Sequence, residues 1–312
     1  QERWDRECAG PFNRVWGSVT DRALLAKLVS QYGLIIHMAA LANPDLSIEQ
    51  PGLAWETNLG GTLALLEAVR LHAPKCRVIH WSSCEVYGPP VLTRSLYDQE
   101  GRGSFDVPRE QDENAPMNPP TPYAASKAAA DRAAYSYHKT YGLDIQIIRP
   151  CNVYGPGHRV GPYGGVIPNF VHAALTGQTM WIRGDGAQAR EFVYIDDLVS
   201  AALRLLDFHP DSIRENRVLN IGTGVRRSVL EIAKLVAELV PGARWENTAA
   251  RPGDVRDFRL DSRRWQALTH WQPKVCFEDG LRHYVEWARV QWGHPLAGTG
   301  LTADGHCAPS SS

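Results

Sequence analysis

The stretch from Thr121 to Gly142, TPYAASKAAADRAAYSYHKTYG, sets Tyr123 and Lys127 four residues apart on a predicted helix. At 3.6 residues per turn, the two side chains share one face of that helix. A fixed ammonium near a phenol lowers the pKa of the phenol, which could then exchange a proton with a substrate hydroxyl. An ordinary amphipathic helix, with a half-buried tyrosine and a solvated lysine, has the same spacing, so the pair needs supporting residues elsewhere.

Polar side chains follow the nearest upstream strand. The run RVIHWS, residues 77–82, predicts a strand that leads into Ser83, Cys84 and Glu85. In open α/β sheets, ligands bind at the carboxyl ends of the strands. Serine pairs also occur in ordinary turns, so this cluster by itself leaves both interpretations open.

Together, SSCEVYG (residues 82–88) and YAASK (residues 123–127) resemble the extended short-chain dehydrogenase/reductase family, the NAD-dependent epimerases and dehydratases of nucleotide-linked sugars. The resemblance implies a doubly wound parallel α/β sheet of the Rossmann type with a smaller mixed α/β substrate lobe. It places the dinucleotide-binding domain in residues 1–150, with residues 190–224 returning to it. The substrate lobe would occupy mainly residues 151–295, followed by a tail, residues 296–312.

The composition fits a globular enzyme and argues against several other classes. The 312 residues are 44% hydrophobic and 21% charged, which is enough apolar sequence to bury a full core. A net charge of -1 argues against a nucleic-acid partner, and no apolar run approaches the ~18 residues of a membrane span. The six cysteines are scattered without CxxC or metal-ligand spacing, so we expect a reduced, cytoplasmic protein without a structural metal.

The beginning of the chain departs from the family pattern. Its first predicted elements are a short strand at Val15 and Trp16 and a helix with Asp21 near its start. In the family these correspond to the third β-unit, so the resemblance predicts that the first β-α-β unit, with the GxxGxxG loop for the NAD pyrophosphate, is missing. The run Gly222-Thr223-Gly224 is interpreted as a turn, because Arg227 stands where the fingerprint requires its third glycine.

The resemblance still implies cofactor-binding residues at the carboxyl edge of the sheet. Ala39 and Ala40 follow a predicted strand at residues 34–37, and their small side chains would let the cofactor approach the backbone. Asn58 matches a helical asparagine near the active-site serine, with a solvated helix residue as the alternative. Ser18 replaces the aspartate that usually bonds the adenine. The expected cofactor-binding residues are Val19, Ala39, Ala40, Asn58, Ser82, Tyr123, Lys127 and Pro150.

Substrate-binding residues are implied by two arginine motifs. GDGxxxR carries Arg190, and RxGD carries Arg251 and Asp254. Two guanidinium groups can clamp a diphosphate, since each offers a planar fork of donors that matches phosphate oxygens. Each arginine alone could equally form a surface ion pair. The connection at residues 88–123, rich in proline and acidic residues, predicts an irregular lid. The expected substrate-binding residues are Cys84, Asn152, Val166, Arg190, Arg251 and Asp254.

The family chemistry assigns a role to each catalytic candidate. Tyr123 would remove the proton from a sugar hydroxyl at C4, Ser83 would bond the same oxygen, and Lys127 would lower the tyrosine pKa while hydride passes to NAD. Dehydratases then use an acid and a base placed directly after the serine, here Cys84 and Glu85. Glutamate fits that pattern and cysteine is unusual in it, so we favour a 4-epimerase, with a 4,6-dehydratase or a decarboxylase as alternatives.

Two further expectations concern the assembly and the activity of the chain. In many relatives, two helices of the cofactor domain form a homodimer interface, and residues 54–70 and 121–140 are the candidates here. Because the glycine-rich loop is absent, a truncated, non-catalytic chain that only binds a nucleotide sugar is an alternative of another class.

Overall fold

A computed structural model describes residues 13–90, 92–95, 105–208, 216–250 and 257–292. No helix within these ranges is both long and apolar enough to span a bilayer. Along the chain the elements are α1 (Arg22–Val29), β1 (Leu34–His37), α2 (Pro44–Glu49), α3 (Pro51–Trp55), a π-helical turn (Glu56–Gly60), α4 (Gly61–His72), β2 (Arg77–Trp81), a 3-10 turn (Cys84–Tyr87), β3 (Leu92–Ser95), β4 (Phe105–Pro108), α5 (Pro122–Tyr141), β5 (Ile145–Pro150), β6 (Asn152–Tyr154), α6 (Val166–Leu175), β7 (Thr179–Arg183), β8 (Ala189–Tyr194), α7 (Ile195–Arg204), a second 3-10 turn (Leu205–Asp207), β9 (Val218–Ile221), β10 (Arg226–Ser228), α8 (Val229–Leu239), β11 (Arg244–Thr248), α9 (Arg263–Thr269) and α10 (Phe277–Gln291).

A four-stranded parallel sheet in the order β1-β2-β5-β9 forms the centre of the larger part of the molecule. Helices α1, α4 and α5 pack on one face of this sheet, and α7 and α9 pack on the other. Strands β5 and β9 are buried along their whole length, as expected for parallel strands covered on both faces. The predicted doubly wound, Rossmann-like α/β fold is confirmed.

Helix α5, which carries the quoted stretch, begins and ends at residues suited to those positions. The Thr121 hydroxyl accepts a hydrogen bond from the N–H of Ala124 at 3.2 Å, and Pro122 occupies the first turn, where an N–H would lack a partner. Gly142 ends the helix in the left-handed conformation, with φ of 67°. The residues at the N-terminal end fix where the first turn of α5 lies, and therefore where Tyr123 lies.

A second, smaller group of elements surrounds its own apolar core. Strands β6, β8 and β10 form a mixed sheet, and β7 and β11 form a parallel pair. Helices α6, α8 and α10 cover these strands and contribute core residues such as Phe170, Val236 and Leu281. This part supplies one wall of the cavity described below.

Three expectations are wrong in detail. Val15 and Trp16 form no strand, because no described strand pairs with them, and they are 51% and 76% exposed. The connection at residues 88–123 is not wholly irregular, since β3 and β4 pair within it as an antiparallel hairpin. Residues from 190 do not return at once to the parallel sheet, because β8 pairs with β6 and β10; the return begins at α7.

Candidate active site

The carboxyl end of β2 and the first turn of α5 bring Ser83 and Tyr123 together. Both side chains are buried, and the Ser83 hydroxyl is close enough to Tyr123 to affect its pKa. Burial raises the pKa of Tyr123; the Ser83 hydroxyl opposes the rise, and the charge of Glu85 adds to it. The expected lowering of the Tyr123 pKa is therefore wrong in direction, because burial dominates and the Lys127 ammonium donates to the main-chain carbonyl of Trp81.

Lys127 lies one turn after Tyr123 on the buried side of α5. Burial lowers the pKa of its ammonium to about 8, and the carboxylate of Asp131, one turn further, opposes that shift. A group whose pKa lies close to neutrality can release and regain a proton during a reaction. Lys127 is therefore suited to proton exchange as well as to positioning.

The two residues after Ser83 differ in their surroundings. Cys84 is buried, and burial, together with the charges of Glu85 and Glu191, raises the pKa of its thiol well above the usual range. Glu85 is half-buried, and its main-chain N–H donates to the Ser83 hydroxyl at 3.2 Å. At neutral pH, Cys84 is thus an un-ionised thiol and a weak proton donor, whereas Glu85 lies close enough to Tyr123 to affect its pKa.

The cofactor candidates come from several elements around this edge. Ala39 and Ala40 follow β1, Ser82 follows β2, Pro150 ends β5, and Val19 packs against the start of α4. Ala39 is exposed, whereas Ser82 and Pro150 are buried. The topology places these strand ends at one edge of the sheet, and their role toward NAD stays a prediction.

Asn58 lies in the π-helical turn and is buried, so the alternative of a solvated helix residue is wrong. Its side-chain carbonyl accepts from the N–H of Leu41 at 2.7 Å, and its amide donates to the Ser126 hydroxyl at 2.9 Å. Asn58 therefore ties the segment after β1 to α5, next to Lys127.

A cavity of about 700 Å³ lies on the side of the smaller lobe. Its wall includes Val166 at the start of α6, Arg183 on β7 and Arg190 on β8. The charge of Arg190 acts to lower the thiol pKa of Cys84, so this end of the cavity is electrostatically linked to the segment after β2. The cavity is of the size that holds small-molecule ligands, typically ~300–1,000 Å³.

The remaining predicted substrate-binding residues are Asn152, Arg251 and Asp254. Asn152 begins β6, and its amide donates to the main-chain carbonyl of Glu191 at 3.1 Å, so it also holds β6 to β8. Arg251 and Asp254 lie outside the described residues. Of the predicted diphosphate clamp, the described ranges thus contain Arg190, with Arg183 as a second guanidinium on the same cavity wall.

The residues present fit the nicotinamide ribose part of NAD. Lys127 and Tyr123 stand at the carboxyl edge of the sheet, and the exposed Ala39 leaves that edge open above β1. In the part of the chain that the structure describes, no glycine-rich loop joins a strand of the parallel sheet to a helix. The Gly222–Gly224 segment is a turn, as predicted; it leads from β9 to β10, and the Gly224 N–H donates to the carboxylate of Glu191 at 2.8 Å.

Sequence analysis missed a buried polar network behind Lys127. Asp131 and Arg149 have no exposed surface and form an ion pair through two hydrogen bonds of 2.8 and 2.9 Å. Ser82 donates to the Asp131 carboxylate at 2.7 Å, and Arg149 donates to the Tyr87 hydroxyl at 2.7 Å. The available signal was the spacing of Asp131, four residues after Lys127 on a helix. The sequence around Arg149 contained no signal of a buried ion pair, because Arg149 lies inside an apolar strand.

The chain is similar to characterised proteins over most of its length. A sequence profile of the NAD dependent epimerase/dehydratase family matches residues 2–222. The chain is 36% identical over 262 residues to a UDP-glucose 4-epimerase of Mycolicibacterium smegmatis, covering 82% of this chain and 76% of that protein. It is 31% identical over 294 residues to a dTDP-glucose 4,6-dehydratase of Xanthomonas campestris pv. campestris, covering 88% and 78%.

Solved structures share the fold. A dTDP-glucose 4,6-dehydratase from Streptomyces venezuelae with NAD bound matches with a TM-score of 0.78 and 32% identity, covering 94% of this chain and 84% of that one. A UDP-glucose 4-epimerase from Thermotoga maritima with UDP-glucose matches with a TM-score of 0.78 and 27% identity, covering 93% and 94%. With the profile match extending over more than half of its residues, the chain belongs to the NAD-dependent epimerase/dehydratase family of enzymes.

Proposed function

We propose that the chain is a 4-epimerase of nucleotide-diphosphate sugars. The observation that carries this proposal is the buried pair of hydroxyl groups, Ser83 at the end of β2 and Tyr123 in the first turn of α5, together with a cavity that contains Arg190. Two hydroxyl groups in this arrangement can hold one oxygen of a substrate between them. Relatives named for both UDP-glucose and dTDP-glucose support a nucleotide sugar as the ligand of the cavity.

The residues of the chain perform the proton steps. Burial raises the pKa of Tyr123, so its phenol must give up its own proton before it takes the proton of the C4 hydroxyl, and Ser83 holds the oxygen of that hydroxyl. Lys127, whose pKa burial lowers to about 8, receives the tyrosine proton in its amine form and returns it later. NAD, when bound, supplies the acceptor and donor of hydride. Arg190 binds the diphosphate, and Arg251 and Asp254 are proposed to complete that contact.

The surroundings of Cys84 favour epimerisation over elimination. A dehydratase must protonate a leaving hydroxyl, and the buried thiol, with its strongly raised pKa, is a poor donor for that step. An epimerase requires no acid at this position. A 4,6-dehydratase is the second candidate because Glu85 is a carboxylate placed where such an enzyme needs its base.

We further propose a homodimer and a cytoplasmic location. The dimer would form through residues 54–70 and 121–140, where Trp55 is an exposed apolar side chain. The four described cysteines, Cys76, Cys84, Cys151 and Cys276, are free thiols, which suits a reducing compartment.

Tyr123→Phe tests the catalytic assignment. The change removes one hydroxyl and leaves the ring, so turnover of a UDP- or dTDP-sugar with NAD should fall at least ~100-fold while nucleotide-sugar affinity stays the same. Steady-state kinetics and calorimetry measure the two quantities. Turnover within about threefold of the parent protein would remove Tyr123 from the reaction.

Isotope labelling separates the two candidate reactions. A dehydratase removes the C5 proton of the sugar, whereas a 4-epimerase does not, so the product formed in deuterated water should carry no deuterium at C5. Glu85→Gln should accordingly change the epimerisation rate only modestly. Deuterium at C5 together with loss of product in Glu85→Gln would establish the dehydratase instead.

A further inference from the structure

Helix α2 lies between the catalytic helix and a loop of the smaller lobe. It follows β1 and spans six residues, Pro44–Glu49. Ser47 in its middle is completely buried, whereas Glu49 at its end is exposed. The loop in question, residues 155–165, leads from β6 into α6.

On one side, α2 binds the main chain of the catalytic tyrosine. The Ser47 hydroxyl accepts a hydrogen bond from the N–H of Tyr123 at 2.9 Å and donates to the carbonyl of Pro44 at 2.6 Å. First-turn N–H groups have no partner inside their own helix. The Thr121 cap serves Ala124, so the partner of Tyr123 comes from another segment of the chain. The position of Tyr123 therefore depends on where α2 lies.

On the other side, α2 binds the loop through both of its ends. The side-chain carbonyl of Asn43 caps α2 by accepting from Leu46 at 2.7 Å, and its amide donates to the main-chain carbonyl of Tyr163 at 2.6 Å. The Tyr163 hydroxyl donates to the carboxylate of Glu49 at 2.8 Å. Two hydrogen bonds to one loop residue thus fix the loop against α2.

The loop and α2 both contribute to the wall of the large cavity. Val160, Gly161 and Pro162 of the loop line it, and so does Asp45 of α2. A ligand in the cavity therefore contacts the loop and the helix that holds the loop. Hydrogen bonds then lead without a break from Tyr163 through Asn43 and α2 to Tyr123.

We propose that α2 couples the cavity to the catalytic tyrosine, with Ser47 as a positioning residue that sets the first turn of α5 according to how the loop is held. The inference rests on the proposed function, because it assigns a nucleotide to this cavity. A ligand that holds the loop closed reduces the motion of α2 and, through Ser47, that of Tyr123.

Hydrogen–deuterium exchange of the Tyr123 amide tests the coupling without any ligand. Ser47→Ala should speed exchange ~5-fold, the equivalent of one lost hydrogen bond. The double variant Asn43→Asp/Tyr163→Phe keeps the cap on α2 and removes both bonds to the loop, so it should speed the same exchange at least ~3-fold. Unchanged exchange at Tyr123 in the double variant would overturn the proposal.

Ser200 provides a matched control, because its hydroxyl makes the same two kinds of bond elsewhere. It donates to the carbonyl of Asp197 at 2.9 Å and accepts from the Trp271 indole at 2.8 Å. Ser200→Ala should lower Tm and leave exchange at Tyr123 and kcat unchanged. Ser47→Ala should lower kcat ~5-fold without a change in KM, and Ser47→Thr, which keeps the hydroxyl, should restore it. Equal effects of Ser47→Ala and Ser200→Ala on kcat would show a merely structural role.

Addition of UDP gives the final comparison. UDP should slow exchange at Tyr123 in the parent protein, and this slowing should disappear in the double variant even when UDP is saturating. Binding of UDP without any slowing in the parent would overturn the coupling. If neither UDP nor dTDP binds, the proposed function fails, and the ligand-free comparison still decides whether α2 connects the loop to Tyr123.

Discussion

Strands β1 and β2 lie side by side in register, yet β1 is largely exposed and β2 is largely buried. Beyond β2, Ser82 bonds into the fully buried pair of Asp131 and Arg149. Ile36 on β1 and Ile79 on β2 are direct partners, but Ile36 is 44% exposed and Ile79 is 1% exposed. The edge that carries the candidate active site is therefore anchored in buried groups of β2, β5 and α5, whereas β1 beside it is partly exposed.

The largest effect should come from breaking the buried ion pair behind β2. Arg149→Met leaves the Asp131 carboxylate buried without its main partner, so the free energy of unfolding should fall by about 3–5 kcal/mol. The double variant Asp131→Leu/Arg149→Met removes both charges and should recover at least half of that loss. Urea denaturation of the parent protein, the single variant and the double variant measures these free energies of unfolding. Equal stability of the single and double variants would mean that the charges do not depend on each other.

Lys127 should give the next largest effect, and one that depends on pH. Burial lowers the pKa of Lys127 from 10.5 to about 8, so between these values the folded chain binds fewer protons than the unfolded chain. Stability from this group therefore rises with pH across that window, and below it the buried charge destabilises by up to ~3 kcal/mol.

Replacing that charge tests the sign of the effect. Lys127→Met should raise the free energy of unfolding at pH 7, and the difference from the parent should vanish by about pH 10.5. Urea denaturation at pH 7, 9 and 10.5 provides the comparison. A constant difference across this range would show that Lys127 keeps its ordinary pKa in the fold.

The smallest effect should come from β1 itself. Ile36→Ala removes a side chain that is already in contact with solvent, and the free energy of unfolding should change by less than ~1 kcal/mol. Its register partner is the control, since Ile79→Ala leaves a cavity in the core and should cost about 2–5 kcal/mol. Similar losses at both positions would mean that β1 is covered in solution.

Local patterns in the sequence were enough to predict helix α5, strand β2 and the polar residues that follow β2, whereas the parallel sheet was implied by the family resemblance. Tyr123 and Lys127 could be assigned to one helix face because helical periodicity depends only on spacing. The direction of the Tyr123 pKa shift could not be predicted, because it depends on burial by segments distant in the chain. The same holds for Arg149, whose charge is matched by a carboxylate 18 residues earlier.

The wrong fold predictions concern short segments near residues 15–16 and 92–108. The hairpin of β3 and β4 lies in a sequence rich in turn-forming residues, and pairing between its own strands outweighs that composition. Val15 and Trp16 have the side chains of a strand but no described neighbour to pair with. The hydrogen bond from the Tyr123 N–H to Ser47 could not be predicted either. Nothing in the sequence distinguishes this serine from other serines in short polar helices.

The π-helical turn at Glu56–Gly60 has a geometric consequence for the residues before it. A π-helical turn contains one residue more than an α-helical turn. One residue added to a regular α-helix would rotate the preceding segments by about 100° around its axis. The wide turn at Glu56–Gly60 takes up such a residue instead, so α3 keeps its direction relative to α4. Deleting one residue within the turn would therefore leave α3 in place, and its effect would fall on Asn58, whose hydrogen bonds to Leu41 and Ser126 depend on the shape of this turn.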